Sequence, residues 1–219
     1  MPGLPNAEIG LSRWNFSTGK RVFDATVGAV VLTLSMPLMA LIAITIRVST
    51  RGPVLFRQRR VGRNGELFEI LKFRTMVHRS LQDQGTSITR KGDSRVTWLG
   101  RWLRKSKLDE LPQLYNVVRG DMSLVGPRPD LPEFYDNLGP EQRQILALKP
   151  GVTGWATLQF RDEEGHLARV PEQQLTTYYV DTLFPAKVQL ALDYARRATF
   201  KGDLLIILRT FIGPSSGPG

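Results

Sequence analysis

A chain of 219 residues with a formal charge of +10 and no cysteine has room for one substantial core but cannot build a disulfide framework, a thiolate metal site or a cysteine nucleophile. So basic a balance suits an anionic partner: nucleic acid, an anionic membrane surface or a phosphorylated small molecule. The charge is local. Residues 47–107 carry 16 Lys and Arg against four acids, alternating with apolar residues such as Phe56, Phe68, Phe73 and Trp98, which marks a folded block rather than a nucleic-acid tail.

Residues 1–18, with Pro2, Gly3, Pro5 and Gly10, read as a flexible or surface-lying arm. Residues 25–46 contain no charge. As a helix they would reach about 33 Å, just enough for a hydrocarbon core of roughly 30 Å. No A-x-A-like cleavage site closes the segment, so it does not read as a secretory signal. Pro37 near its middle removes a backbone donor and predicts a kink or break, with Ser35 placed either to accept the freed donor or to bond back to a carbonyl. Arg13, Lys20 and Arg21 precede the segment, and Arg47, Arg51 and Arg57 follow it. Cationic flanks stay on the cytoplasmic side. A chain returning to the leaflet it entered satisfies both flanks, a spanning helix only one. The residue pattern leaves the two readings open.

Within residues 53–76, Asn64-Gly65 between two alternating runs predicts a hairpin with a type I′ turn. Residues 77–93 are polar and aperiodic, the signature of a mobile loop of the kind that serves as a lid. Residues 95–105 place Val96, Leu99, Trp102 and Leu103 on one helical face and Arg95, Arg101, Arg104 and Lys105 largely on another. Such a helix lies on a soluble core or at a membrane surface, and the neighbouring lipid segment favours the surface. Residues 186–212 form a second helical stretch, broken near Gly202, whose apolar run 204–208 is too short to span and is expected on the core or the interface. His78 and His166 stand far apart, which argues against a zinc site and for surface positions.

The stretch "LDELPQL", residues 108–114, sits among Arg101, Arg104, Lys105 and Lys107. Pro112 predicts a helix start, with Asp109 at or near its cap, and capping is the plain reading. The surroundings offer another. Downstream come Gly120, Asp121, Met122 and Ser123, then Gly126-Pro127-Arg128-Pro129. Arg128 between two prolines has a stiffened backbone, which would hold its guanidinium ready for a phosphate; the plain alternative is a rigid surface turn. Carboxylates among cations are expected to be ionised. They can hold Mg²⁺, and one can attack phosphorus to give an acyl phosphate. The reaction class is phosphoryl or phosphosugar transfer involving a lipid-embedded acceptor.

Four motifs in order, "KRVFD", "GPVLFRQRRVGRNGELFEILKFRTM", "LDELPQLYNVVRGDMSLVGPRP" and "KPGVTGWA", give the chain a resemblance over about residues 19–213. It resembles the monotopic phosphoglycosyl transferases, the bacterial sugar transferase family. The resemblance implies an α/β, mainly α, membrane-associated fold: an N-terminal re-entrant helix-break-helix, interfacial amphipathic helices and a small β-hairpin or sheet. It divides the chain into an arm (1–18), a re-entrant membrane helix (19–50), a catalytic domain on the cytoplasmic face (51–213) and a flexible tail (214–219). The implied activity moves a sugar 1-phosphate from a UDP-sugar to undecaprenyl phosphate by a covalent ping-pong course with Mg²⁺, at the bacterial inner membrane. Asp109 would be the nucleophile, and Glu110 would assist with the metal or the acceptor proton. Lys72, Arg104 and Arg128, together with Pro127, Pro129, Gln113 and Asp121, would meet substrate and phosphates, and Ser35 and Pro37 would mark the membrane break. Partners would include inner-membrane lipid but no nucleic acid, with homodimerisation left open.

The chain departs from the family pattern in two places. Met36 stands where members commonly have Ser directly before the breaking Pro, and residues 157–161 read Thr-Leu-Gln-Phe-Arg, so the sugar cannot be carried over. Larger members add a multi-span membrane domain, so the expectation here is a minimal catalytic unit. From a different class, a non-catalytic membrane-surface adaptor would use the basic block alone, indifferent to Asp109 and Glu110.

Overall fold

The computed structural model describes residues 10–77 and 88–212. The start of the arm, His78, most of the expected lid at 77–93 and the tail at 214–219 lie outside the described residues. The chain is mainly helical. Helix α1 spans Thr18–Ser49, followed by strands β1 (Leu55–Val61) and β2 (Leu67–Phe73), then α2 (Trp98–Ser106), α3 (Gln113–Arg119) and β3 (Ser123–Val125). After α4 (Pro132–Tyr135) and β4 (Gly151–Thr153) come α5 (Trp155–Gln159), α6 (Glu163–Leu167), α7 (Leu175–Tyr178), α8 (Phe184–Arg196) and α9 (Phe200–Ile212).

Ser17 starts α1 by accepting from the Lys20 amide at 3.0 Å, satisfying one of the first-turn donors. By length and composition the helix is apolar enough to cross a membrane, and Val30, Leu34, Met36, Leu41 and Ile44 are exposed along it. The expected division into two helices does not occur: the backbone stays helical through Pro37. Ser35 Oγ donates to the Leu32 carbonyl at 3.0 Å, the back-bond its position suggested. Both ends of α1 pack on the same body. Lys20, Asp24 and Gly28 are buried at its start, where Gly28 lies against Val117 of α3; Ile42 and Ile46 near its end share a core with Phe73 and Leu103.

Strands β1 and β2 pair antiparallel, Leu55 opposite Phe73 and Val61 opposite Leu67. The turn has the two positive φ values a type I′ hairpin needs, 59° at Asn64 and 80° at Gly65. After the loop the chain returns beside its own departure: Val77 donates to Arg95 and Thr97 to Thr75, at 2.9 and 3.0 Å. Thr97 then caps α2 by accepting from Gly100. Helix α2 faces inward with Gly100 and Leu103, and full burial of Leu103 contributes about 1.5–3 kcal/mol. Trp102 does not share that face. It stands outside with Trp98, at 53% and 64% exposure. The i, i+4 spacing puts both indoles on one stripe, and the Thr75 backbone pressed on Gly100 leaves no room for an indole inside.

The second helical stretch breaks at residues 197–199, ahead of Gly202, which lies inside α9. Asp203 and Ile206 point inward on α9, while Phe200, Leu204, Leu208, Phe211 and Ile212 are exposed. Asp203 ties three elements together. It accepts from Lys20 Nζ at 2.6 Å, Trp14 Nε1 at 2.8 Å and Tyr194 OH at 2.6 Å. Strands β3 and β4 run parallel, Ser123 opposite Gly151 and Val125 opposite Thr153. A Cβ at Gly126 or Gly151 would collide with the facing backbone, so glycine at both lets the 126–129 segment lie directly on 149–151.

Candidate active site

Helix α2 ends at Lys107, whose φ of 58° turns the chain sharply, and residues Leu108–Glu110 form a single 3-10 turn ahead of α3. Pro112 does begin the next helix, but neither Asp109 nor Glu110 caps it through its side chain. Both carboxylates are instead buried, at 7% and 8% exposure. Burying a charge requires a partner, and the two residues answer that demand differently.

Glu110 is paired. Its Oε1 accepts from Lys72 Nζ at 3.0 Å and from Arg128 Nη2 at 2.8 Å. Lys72 comes from β2, and Arg128 from the proline-flanked segment after β3. Burial pushes the Glu110 carboxyl up, but Arg128 and Lys72 outweigh it and hold the group well below the usual carboxylate range. Arg128 is raised in turn, first by Glu110. Burial lowers the Lys72 ammonium, with Glu110 opposing.

Asp109 has no such clamp. Its Oδ1 is buried without a hydrogen-bond partner among the described residues. Burial first, and Glu110 second, raise its carboxyl to about 6, against the pull of Lys72, Arg104 and Lys107. The expectation that both carboxylates stay ionised among cations therefore holds for Glu110 and weakens for Asp109, because the direct cation contacts all go to Glu110. A buried carboxylate oxygen with no internal partner, next to a fixed ion pair, has a bonding demand that the described residues leave unmet.

Of the other anticipated residues, Arg104 donates to Thr75 Oγ1 at 2.9 Å and to Glu164 Oε1 at 2.6 Å. Gln113 is buried, with Nε2 unpartnered among the described residues. Pro127 contributes its carbonyl to Gly151 N at 2.8 Å, and Pro129 is buried. Asp121 belongs to a different cluster, beyond the far end of α3, where Asn116 and Arg119 hold it at 3.2 and 2.6 Å. Arg161 donates to the Thr210 carbonyl at 2.8 Å and so pins the segment after α5 to α9. His166 contacts Tyr178 OH at 2.7 Å.

Sequence reasoning missed the buried network behind Arg128. Asp130 accepts from Arg60 at 3.1 Å and from Tyr179 OH at 2.9 Å, while Lys187 reaches Tyr179 OH at 3.1 Å and Glu163 at 2.9 Å. The one signal in the sequence was Asp130 itself, directly after Pro129. The network anchors the residue two positions past Arg128 to β1 and α8, which limits where the guanidinium can go.

The residues fit Mg²⁺. A buried, unpartnered carboxylate oxygen is the hard ligand this ion takes, and Mg²⁺ keeps waters and accepts substrate phosphates rather than needing a protein cage. Asp109 would hold it, with Glu110 the adjacent carboxylate in the chain; among the described residues no cluster of three or more His, Asp or Glu forms a metal cage.

The family described as bacterial sugar transferase matches residues 15–214. A UDP-glucose:undecaprenyl-phosphate glucose-1-phosphate transferase of Xanthomonas campestris pv. campestris is 39% identical over 220 residues, 97% of this chain and 42% of the relative. A protein of the same name from Caulobacter vibrioides is 40% identical over 194 residues, 87% of this chain and 67% of its own. A UDP-N-acetylgalactosamine-undecaprenyl-phosphate N-acetylgalactosaminephosphotransferase of Aeromonas hydrophila is 42% identical over 196 residues, 87% of this chain and 42% of the relative. The chain thus spans less than half the length of the first and third.

Proposed function

Starting from the fact that the chain belongs to the bacterial sugar transferase family, we propose that it transfers a sugar 1-phosphate from a UDP-sugar to undecaprenyl phosphate, releasing UMP. The observation that carries this reading is the division of labour between neighbours: Glu110 fixed by Lys72 and Arg128, Asp109 buried beside it with a free oxygen. In the first step an Asp109 carboxylate oxygen attacks the phosphorus bearing the sugar. The bond to the bridging oxygen breaks and UMP leaves with that oxygen. In the second step an oxygen of undecaprenyl phosphate attacks the same phosphorus, and the bond to Asp109 breaks to give the lipid diphosphosugar. Arg128, Lys72 and Arg104 set a positive field around the diphosphate, where charge develops as UMP departs. Mg²⁺, when bound, neutralises diphosphate charge and orients its oxygens. The sugar is not assigned; relatives of similar identity are named for glucose and for N-acetylgalactosamine.

A lipid acceptor requires the site to stand at a membrane. We infer that α1 enters and leaves one leaflet, bending at Pro37, with the catalytic body on the cytoplasmic face of the inner membrane. What supports this is the packing of both α1 ends on one body, which a straight span cannot do, and the cationic residues at both flanks. The exposed Trp98 and Trp102 of α2 and the outer face of α9 extend the apolar surface.

The test is UMP release from the full chain in detergent or nanodiscs, with Mg²⁺, undecaprenyl phosphate and a panel of UDP-sugars. Donor labelled in the phosphate attached to the sugar should leave label on the protein, and Asp109→Asn should leave none. No UMP from any donor overturns the reading.

A further inference from the structure

A cavity of about 260 Å³ lies between the start of α1 and the Gly126 and Pro127 turn, and its lining includes none of Asp109, Glu110, Lys72 or Arg128. We propose that this cavity is a second anion site, which takes a phosphate group on Arg21, Arg63 and Lys149.

The charge on its walls is lopsided. Lys20, Arg21, Arg63 and Lys149 line it with one carboxylate, Asp24. Lys20 is matched by Asp203 at 2.6 Å. Asp24 accepts from Ser123 Oγ at 2.8 Å and stands 3.7 Å from Lys20, so it is engaged as well. The other three cations have no carboxylate of their own among the described residues. Among the described residues, the Arg21 guanidinium donates to the Val117 and Val118 carbonyls, at 2.6 and 2.7 Å. Arg63 donates to the Ala147 carbonyl at 3.1 Å and lies over the Phe16 ring. For Lys149 no hydrogen bond or ion pair forms among the described residues, and burial, then Arg21 and Arg63, lower its ammonium. The one carboxylate on the wall, Asp24, is already engaged by Lys20 and Ser123, and with Asp121 it offsets Lys149 only in part, so the three cations leave an excess of positive charge that an anion completes. Phosphate, with several acceptor oxygens, matches two guanidinium groups and an ammonium. The volume holds a phosphate or diphosphate with waters. Because residues 17–24 on its wall lead directly into the uncharged segment 25–46, a lipid headgroup can supply that phosphate as readily as solution can.

The test reads binding rather than turnover, so its failure is separate from failure of the transferase reading. Calorimetry on the full chain in detergent, with inorganic phosphate and with pyrophosphate, covers the soluble source. Native mass spectrometry of retained phosphatidylglycerol covers the headgroup. Lys149→Gln and Arg63→Gln should each weaken binding by about ten-fold or more. Lys149→Arg should keep it, Asp109→Asn should bind as the parent does, and unchanged melting temperatures show that the variants are folded. Weakening confined to inorganic anions identifies a free phosphate, and weakening confined to phosphatidylglycerol identifies a headgroup; either supports the site. Equal binding in parent, Lys149→Gln and Arg63→Gln, or loss only in Asp109→Asn, overturns it.

Discussion

Arg128 meets Glu110 at 2.8 Å across a separation of 18 residues, on the same oxygen that receives Lys72. This contact makes Glu110 a fixed charge and leaves Asp109 as the uncommitted one. Replacing Arg128 by Gln should therefore act through geometry and field at once. We expect kcat to fall about 10²–10³-fold, the scale of losing one charge-stabilising donor, with a stability loss of about 1–3 kcal/mol from a half-paired buried carboxylate. Arg128→Lys should recover only part of the rate, since a point charge does not reproduce the guanidinium fork. Initial rates and urea denaturation on both variants check this; a fully active Gln variant would dismiss the clamp.

Gly100 makes a quieter demand. A Cβ there would overlap the Thr75 carbonyl, so α2 would have to lift away from the chain beneath it. Helix α2 delivers the Lys107 turn and hence Asp109. Gly100→Ala should cost about 1–3 kcal/mol as overpacking and lower kcat, although the residue touches no substrate. Thermal melts and rates measured together would show the coupling, and a variant with parental values would refute it.

What the sequence made legible was local. Asn64-Gly65 declared its hairpin because only a few residue pairs accept two positive φ values in succession. Pro112 declared a helix start, and the uncharged run its long helix. Trp102 misled for a physical reason: the reading weighed the residue's own chemistry, whereas the outcome depended on a neighbour distant in sequence; the helix break expected near Gly202 falls three residues before it. Thr75 excludes an indole from beneath α2, and Tyr194 and Thr199 pack around Gly202. The site followed the same rule. Basic residues near Asp109 and Glu110 could be counted, but which carboxylate they would clamp depends on β2 and the 126–129 segment converging. The Asp130, Tyr179 and Lys187 network joins positions 49 and 8 residues apart and leaves no periodic trace.

Asp203 sets up a third expectation. Its pair with Lys20 is almost fully buried, and removing one partner strands the other charge in a low-dielectric interior. Asp203→Ala should destabilise the protein by about 3–5 kcal/mol. Asp203→Asn should do less harm, because the amide oxygen can still accept from Trp14 while its NH2 donates to the Tyr194 hydroxyl on the other side. Denaturant titration ranks the two, and equal losses would point to volume rather than charge.

Trp98 and Trp102 stand side by side on the outer face of α2, with no role in its inner packing. If that face meets lipid, Trp98→Ser with Trp102→Ser should weaken partition into vesicles containing anionic phospholipid by about ten-fold, while leaving the melting temperature in detergent unchanged. Flotation assays measure the first and differential scanning fluorimetry the second. Unaltered flotation would remove α2 from the membrane contact.

The last expectation follows from the Asp109 carboxyl, raised to about 6 by burial and then by Glu110. A nucleophilic carboxylate must be ionised, so kcat/KM should fall through about pH 6 on its acid side, not near the 3.8 of an ordinary Asp. Stability runs in the opposite sense. A group that holds its proton more tightly when folded favours the fold at low pH, and that contribution is lost as pH rises from about 4 through about 6. The full loss amounts to about 3 kcal/mol. Asp109→Asn removes the titration without restoring a buried charge, so the variant should already be more stable than the parent at pH 5, by about half of the full amount, and more stable still at pH 8. It should be inactive at both. Glu110, held low by Arg128 and Lys72, adds stability above its unfolded value of 4.5 that is lost only in stronger acid, so it stays ionised in both proteins over this window. Urea titrations at the two pH values, set beside the pH–rate profile, decide the matter. An acid limb near pH 4, or an Asn variant less stable than its parent at pH 8, would mean that Asp109 is not the strained, poised carboxylate its burial implies.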